Sequence, residues 1–388
     1  MPKIAFVSTY IPRRCGIATF THDLATAVGD HEIVALHQPD GPGPYPIEVR
    51  HLIRSDNRAD YADATRALND CGVEAVSIQH EYGIWGGEAG SFVLDFVRRL
   101  RRPFVATLHT VLRNPSPLQK AVLGELVDTA AASVVMSNAA ASLLTRTYGV
   151  GRIRMEIVPH GVPDLPLVAP GRAKLRLGLP PGPVILSFGL LGPGKGYESV
   201  IEALPAVVDE FPATRYVVLG ATHPDLVRRE GEAYRRRLEA RATTLRVAEH
   251  VHFVDRFVGQ SDLNTWLEAA DIFVTPYPNL DQIVSGTLSY AMGAGKAIVS
   301  TPYEYAREML DGGRGRLVAP GSPEALAEAF LELLRDDYLR AKLGLFAYRR
   351  SRSMLWPQVA ERYRAIFARV TEATAPARPA RPVGVLRG

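Results

Sequence analysis

A lysine in a glycine-rich turn between a strand and a helix can hold phosphate, and the chain has such a turn at Gly189-Leu-Leu-Gly-Pro-Gly-Lys195-Gly196. The turn follows the apolar run Val-Ile-Leu-Ser-Phe and comes within one residue of the pattern GxxxxGK followed by Ser or Thr. Gly196 stands where a hydroxyl would ligate Mg²⁺, which argues against a nucleoside triphosphatase. What survives is Gly194 in a flexible turn, a helix N-terminus and the Lys195 ammonium, a combination suited to an anion. The plainer reading is a connection with an exposed lysine. A second stretch, Asp271 to Pro302, reads as strand, long turn, helix and strand. Ser285-Gly286-Thr287 opens its helix, with Ser285 as N-cap, and the first N–H groups of such a helix favour a phosphate. Asp281 and Gln282 lie in the same turn and can grip hydroxyls. Phosphate beside a polyol is what an activated sugar presents. An ordinary βαβ crossover with no ligand is the competing reading.

The N-terminal half offers different chemistry. His80-Glu81-Tyr82-Gly83-Ile84-Trp85-Gly86-Gly87 packs titratable, aromatic and flexible residues into one loop. Trp85 could stack on a sugar ring, Glu81 could bind hydroxyls or act as a base, and His80 stands beside them. These are read as acceptor-binding residues, against a loop that closes over the core with Trp85 buried. His109 ends the strand FVATLH, where it is either a satisfied core histidine or a group facing a cleft. Arg13 and Arg14 could contact an anion or lie in solvent, Arg13 being read with the acceptor-binding residues, and Gly16 would let backbone approach a ligand. The turn before Gly16 is not GxGxxG, so no dinucleotide site follows from it. His160 reads as structural, and Cys15 lacks a partner histidine in its sequence context.

Strands and helices must alternate to place these residues at strand ends. Strands are expected near 3–9, 33–37, 49–53, 75–79, 104–109, 133–136 and 154–158, with helices at 17–28, 59–69, 91–100, 118–130 and 139–148. A run rich in proline and glycine, VPDLPLVAPGRAKLRLGLPPGP, reads as a linker. The alternation then restarts, with strands near 184–188, 215–219, 251–253, 272–275, 297–300 and 316–318. Helices are expected at 197–210, 225–241, 262–269, 287–294, 323–334 and 357–370. Two Rossmann-like parallel-sheet domains, α/β and doubly wound, are therefore expected to face a cleft: 1–165, a linker 166–183, then 184–355. A helix at 356–372 and a disordered tail at 373–388 complete the expectation. A length of 388 residues agrees with two cores rather than one. Two cysteines are too few for a disulfide framework or a zinc site, and no signal-peptide layout opens the chain, so a cytoplasmic protein is expected. The net charge is +4, with arginines at 98, 99, 101, 102 and 235–237. They are read as solvated helix faces, with attraction to an anionic membrane surface as the alternative. Nucleic acid is not expected, since no basic stripe interleaves with stacking aromatics.

Taken together, CGIATF, ATLHT, VVMSN, VPHGV, SFGLLGPGKG, ADIFVTPYPN, SYAMGAGKAIVSTP and GRGRLVAPGSPEALA resemble, in order and spacing, the retaining GT-B glycosyltransferases of family 4, also called group 1. The resemblance runs to about residue 370 and implies transfer of a hexose, by family habit mannose or glucose, from a nucleotide-sugar to an acceptor hydroxyl. It implies that Lys195 binds the donor diphosphate, that Gly16 lies near it, and that His109 contacts the donor sugar. It implies that Ser285 and Gly286 lie near donor sugar and phosphate, that no cofactor or bound metal is needed, and that the last helix crosses back to the N-terminal domain. The chain departs from the family at a glutamate pair that grips the donor sugar and the ribose, here Gln282 and Tyr290, and at an arginine, here Leu190. Ser285-Gly286-Thr287 is also similar to a motif of the glycogen phosphorylases, so phosphorolysis stays open, as does a non-catalytic sugar-binding protein.

Overall fold

A computed structural model describes residues 2–38, 41, 43–151 and 154–374. The N-terminal lobe holds seven parallel strands, β1 (Ile4–Ser8), β2 (His31–His37), β3 (Val49–Arg54), β4 (Ala75–His80), β5 (Phe104–Leu108), β6 (Ala132–Val135) and β7 (Met155–Ile157), in the order β3-β2-β1-β4-β5-β6-β7. Between them run α1 (Gly16–Val28), α2 (Arg58–Asp70), α3 (Phe92–Val97), α4 (Pro117–Thr129) and α5 (Asn138–Tyr148). A short helix, α6 (Gly171–Arg176), leads to the second lobe. That lobe has six parallel strands: β8 (Val184–Phe188), β9 (Arg215–Leu219), β10 (Val251–Val254), β11 (Ile272–Thr275), β12 (Ala297–Ser300) and β13 (Arg316–Leu317), in the order β10-β9-β8-β11-β12-β13. Its helices are α7 (Tyr197–Glu210), α8 (Pro224–Glu230), α9 (Ala233–Thr244), α10 (Gln260–Ala269), α11 (Gly286–Gly293), α12 (Glu304–Leu310), α13 (Pro323–Arg335) and α14 (Asp337–Ser351). The last helix, α15 (Trp356–Thr374), ends the described chain.

The apolar runs make the inner strands. β1, β4 and β5 are buried along their whole length, as helices on both faces require. Helix starts are where the sequence marks them. Ser116 and Gln119 form a capping box with Pro117 in the first turn of α4. Ser322 caps α13 with Pro323 in its first turn, and Ser285 caps α11 by accepting from the Leu288 N–H. The helix expected at 225–241 is two helices, because Gly231 takes φ 60 between α8 and α9. The sequence reading did not include α12 or α14, and the expected linker contains α6, where Lys174 reaches the Asp271 carboxylate at 2.5 Å.

α15 packs on the N-terminal sheet, with Tyr363, Ile366 and Phe367 in one core with Phe6, Phe20 and Leu24. Its Tyr363 hydroxyl lies 3.0 Å from Thr107 Oγ1. The two chain crossings between lobes run side by side: Val162 N–H donates to the Met354 carbonyl at 2.8 Å, and Trp356 N–H to the Val162 carbonyl at 3.2 Å. The tail beyond 374 lies outside the described residues.

Arginines 98, 99, 101 and 102 are engaged locally. Arg98 grips Glu125, Arg99 donates to the Asp95 carbonyl, Arg101 pairs with Asp70 and Arg102 donates to two backbone carbonyls. Among the described residues no helix is long and apolar enough to cross a membrane.

Candidate active site in the cleft between the lobes

Strand order reverses between β1 and β4 in one sheet and between β8 and β11 in the other. A doubly wound sheet opens a crevice at that reversal, beyond the strands' carboxyl ends. The loops leaving these four strands carry Arg13 and Gly16, His80 to Gly87, Gly189 to Gly196, and Asp281 to Ser285. On the C-terminal side the structure joins two of them. Gly196 takes φ 74 so tightly against Pro276 that a Cβ would lie 2.0 Å from its carbonyl oxygen. Lys195 Nζ then sits 4.4 Å above the Tyr277 ring. The Tyr277 hydroxyl is 3.0 Å from Thr287 Oγ1, which is 3.1 Å from Ser285 Oγ. Lys195 and the first turn of α11 thus share one aromatic wall. Among the described residues Lys195 forms no ion pair.

On the N-terminal side His109 Nε2 lies 2.9 Å from Gln79 Oε1. Phe20 sets its edge against both His109 (4.8 Å between centroids) and His160 (5.1 Å). His160 in turn backs the start of α11: a Cβ on Gly286 would lie 2.9 Å from its Nε2. Burial is the main cause that pushes the His109 imidazole down to about 3, helped by His160 and His80. Burial pushes His160 down to about 4, against a bond to the Gly161 carbonyl. Both rings are therefore neutral near pH 7. A neutral ring can give or take a hydrogen bond without adding charge to a sugar site.

Residues 15–164 match the family described as "Glycosyltransferase Family 4", and residues 182–336 match "Glycosyl transferases group 1". The D-inositol 3-phosphate glycosyltransferase of Xylanimonas cellulosilytica is 31% identical over 328 residues, covering 78% of this chain and 73% of that protein. The chain belongs to the group 1, family 4 glycosyltransferases. The fold agrees. The sucrose-phosphate synthase of Thermosynechococcus elongatus superposes with TM-score 0.78 at 18% identity, over 96% of this chain and 100% of that one. The Anabaena protein HepE, solved in complex with UDP and glucose, does so with TM-score 0.78 at 16% identity, over 95% and 100%.

Several expected contacts of this glycosyltransferase are placed differently. Trp85 is 4% exposed, among Tyr61 and Phe96, and its indole N–H donates to the Gln79 carbonyl at 3.1 Å. It is a core residue and cannot stack on an acceptor. His80 is fully buried against Tyr82, and burial pushes it down to about 4, so it presents no surface to an acceptor either. Glu81 turns its carboxylate back onto the Gly83 N–H at 2.6 Å, and burial raises its pKa. Asp281 is taken by Arg113, which crosses the cleft to bind it at 2.9 Å and pairs also with Glu304. Gln282 donates to the Val284 carbonyl at 2.9 Å, and its side-chain oxygen forms no hydrogen bond among the described residues. Tyr290 donates to Asp23 of α1 at 3.0 Å, a contact between lobes, and burial raises the Asp23 carboxyl. Gly16 opens α1, and a Cβ there would meet no atom within 4 Å.

Four partners were not legible in advance. Arg113, Asp23 and Glu308 act across lobes; Glu308 accepts from the N–H groups of Asn138 and Ala139, both at 3.0 Å, at the start of α5. His223 is the fourth, and it alone had a signal, since it opens a helix just after β9.

Proposed function

We propose that the chain transfers a hexosyl group from a nucleotide-sugar to a hydroxyl of a polyhydroxy acceptor, with retention of anomeric configuration. The observation that carries this reading is the shared wall of Lys195, Tyr277, Thr287 and Ser285, which joins an ammonium group to the N-terminal turn of α11. In the reaction the anomeric C–O bond breaks and the nucleoside diphosphate leaves with the electron pair. The acceptor oxygen bonds to the anomeric carbon and releases its proton. Lys195 and the N–H groups of α11 offset the charge that gathers on the leaving phosphate, so the proposed chemistry does not call for a metal ion. His109 and Gln282 are the proposed contacts to donor-sugar hydroxyls. The relative's name, a D-inositol 3-phosphate glycosyltransferase, supports a phosphorylated polyol as acceptor.

One observation favours a second reading. Tyr290 gives its hydroxyl to Asp23 and offers no carboxylate to a ribose. Phosphorolysis would need no ribose contact. Thermal unfolding with UDP, GDP, inorganic phosphate and saccharides separates the two, because a ligand in large excess stabilises the fold. Stabilisation by a nucleoside diphosphate, followed by turnover of the matching nucleotide-sugar with inositol 3-phosphate and an NMR reading of the product's anomeric configuration, supports transfer. A response only to phosphate with a saccharide replaces it with phosphorolysis.

A further inference from the structure

Diphosphate brings more negative charge than one ammonium group answers. The family arginine that would share it is Leu190 here, and the C-terminal side of the cleft supplies Lys195 and His223. His223 is tied to the glycine turn, since its N–H donates to the Leu191 carbonyl at 2.8 Å and Leu191 N–H to the Ala221 carbonyl at 2.9 Å. Its imidazole is lowered mainly by burial, against Asp225, with the positive charges of Arg13, Arg228 and Lys195 adding to the effect.

Arg13 comes from the other lobe. Its loop leaves β1 at the strand reversal and is fixed by its own turn: Arg13 N–H donates to the Tyr10 carbonyl at 3.0 Å, and Cys15 N–H to the Arg13 carbonyl at 3.1 Å. The guanidinium is half-buried and its Nη1 is enclosed without a hydrogen-bond partner among the described residues. Other guanidinium groups find acceptors: Arg58 grips Asp95 with two bonds and Arg316 grips Glu332 with two. Arg102 also encloses an Nε without a partner among the described residues, but its Nη2 donates to two carbonyls. A desolvated N–H with no acceptor is costly, so an acceptor is expected from outside the chain. A planar fork that meets two phosphoryl oxygens at once suits that place.

We propose that Arg13 is a ligand of the donor's diphosphate, supplying from the N-terminal lobe the second fixed positive charge that Leu190 does not. The proposal rests on the nucleotide-sugar reading above. It also makes the diphosphate a bridge: Lys195 holds it from one lobe and Arg13 from the other, so donor binding and closure of the cleft are one event. A phosphate on the acceptor has the same chemistry, and the test separates the two sources.

The test is calorimetric titration of the full chain with UDP and with GDP at two salt concentrations, for the wild type, Arg13→Gln and the double variant Arg13→Gln with Leu190→Arg. Arg13→Gln is expected to weaken the nucleotide that the wild type binds by about tenfold. It is also expected to flatten the salt dependence, with thermal unfolding of the free protein unchanged. Restoring a guanidinium through Leu190→Arg is expected to recover much of the loss. Nucleotide binding indifferent to Arg13 overturns the proposal alone. So does an effect confined to the KM for inositol 3-phosphate, which would assign Arg13 to the acceptor. A wild-type chain that binds neither nucleotide overturns the donor reading and this proposal with it.

Discussion

Two glycine-rich loops leave inner strands beside the strand reversal, one in each lobe, and they are built to opposite ends. The loop after β4 carries the richer set of chemical groups, yet it spends them on itself. Trp85 donates to Gln79, Glu81 accepts from Gly83, and the Tyr61 hydroxyl accepts from the Gly86 N–H at 3.0 Å. Its glycines answer crowding: a Cβ on Gly86 would lie 1.6 Å from the Ser55 carbonyl oxygen. The loop after β8 holds one charged residue, which lies over an aromatic face and forms no ion pair among the described residues. A Cβ on Gly192 or Gly194 would meet nothing within 4 Å. Unspent bonding capacity, rather than the number of reactive residue types, separates the site from the scaffold.

That contrast breaks most sharply at Gly86. Alanine there must push backbone aside, and Gly86→Ala is expected to destabilise the fold by about 4 kcal/mol. Chemical denaturation reads it directly. A variant as stable as the wild type would show that the loop after β4 is not packed as described.

Next comes pH. His80, at the root of the same loop, is held neutral by burial and pushed from 6.5 to about 4. The unfolded chain takes up a proton at this imidazole as pH falls through about 6.5, while the folded chain refuses it until about 4. Stability is therefore complete above about pH 6.5 and declines between 6.5 and 4, by about 3 kcal/mol for this group alone. His160 adds a decline of the same sign. Replacement of His80 by a neutral aromatic of similar size should flatten that part of the pH profile, and an unchanged profile would remove His80 as its source.

On the other side of the comparison, Lys195→Ala is expected to lower kcat/KM about a hundredfold, through lost stabilisation of the leaving phosphate. The fold should not notice, since the ammonium makes no ion pair. Steady-state kinetics beside a melting curve tests both halves, and a variant that loses stability as well would place Lys195 in the scaffold.

Much of this was legible in advance, and the division follows physical range. The expected helix 197–210 coincides with α7, because apolar spacing and a following strand are local signals. The N-caps at Ser285 and Ser322 are local too. Lys195 was found by the spacing of its glycines. The misreadings come where a side chain's destination is set by distant chain. Trp85 could point to a cleft or to a core from its own sequence context, and only the packing of Tyr61 and Phe96 decides. Asp281 lies 168 residues from Arg113, and Asn138 lies 170 from Glu308, so no window of sequence brings those pairs together. α8 and α9 were read as one helix because a glycine inside a periodic pattern is tolerated as often as it breaks.

The smallest effect sharpens the comparison most. Gly192 has no positive φ and no neighbour near its missing Cβ, so neither backbone strain nor crowding explains a glycine there. A methyl group at this position would enter open space in the turn that carries Lys195. Gly192→Ala should therefore leave stability unchanged, or raise it by a few tenths of a kcal/mol by restricting the unfolded chain. It should weaken binding of a nucleoside diphosphate by about fivefold, because a backbone amide can no longer approach the phosphate closely. Gly86→Ala is the reverse: large in stability, and without direct effect on the nucleotide. Measuring both variants by denaturation and by titration with UDP and GDP gives a crossed pattern if the two loops divide as described. Equal effects on both readouts would mean that the loop after β8 is as closely packed as the loop after β4, and the cation beside it would then have no claim to an external anion.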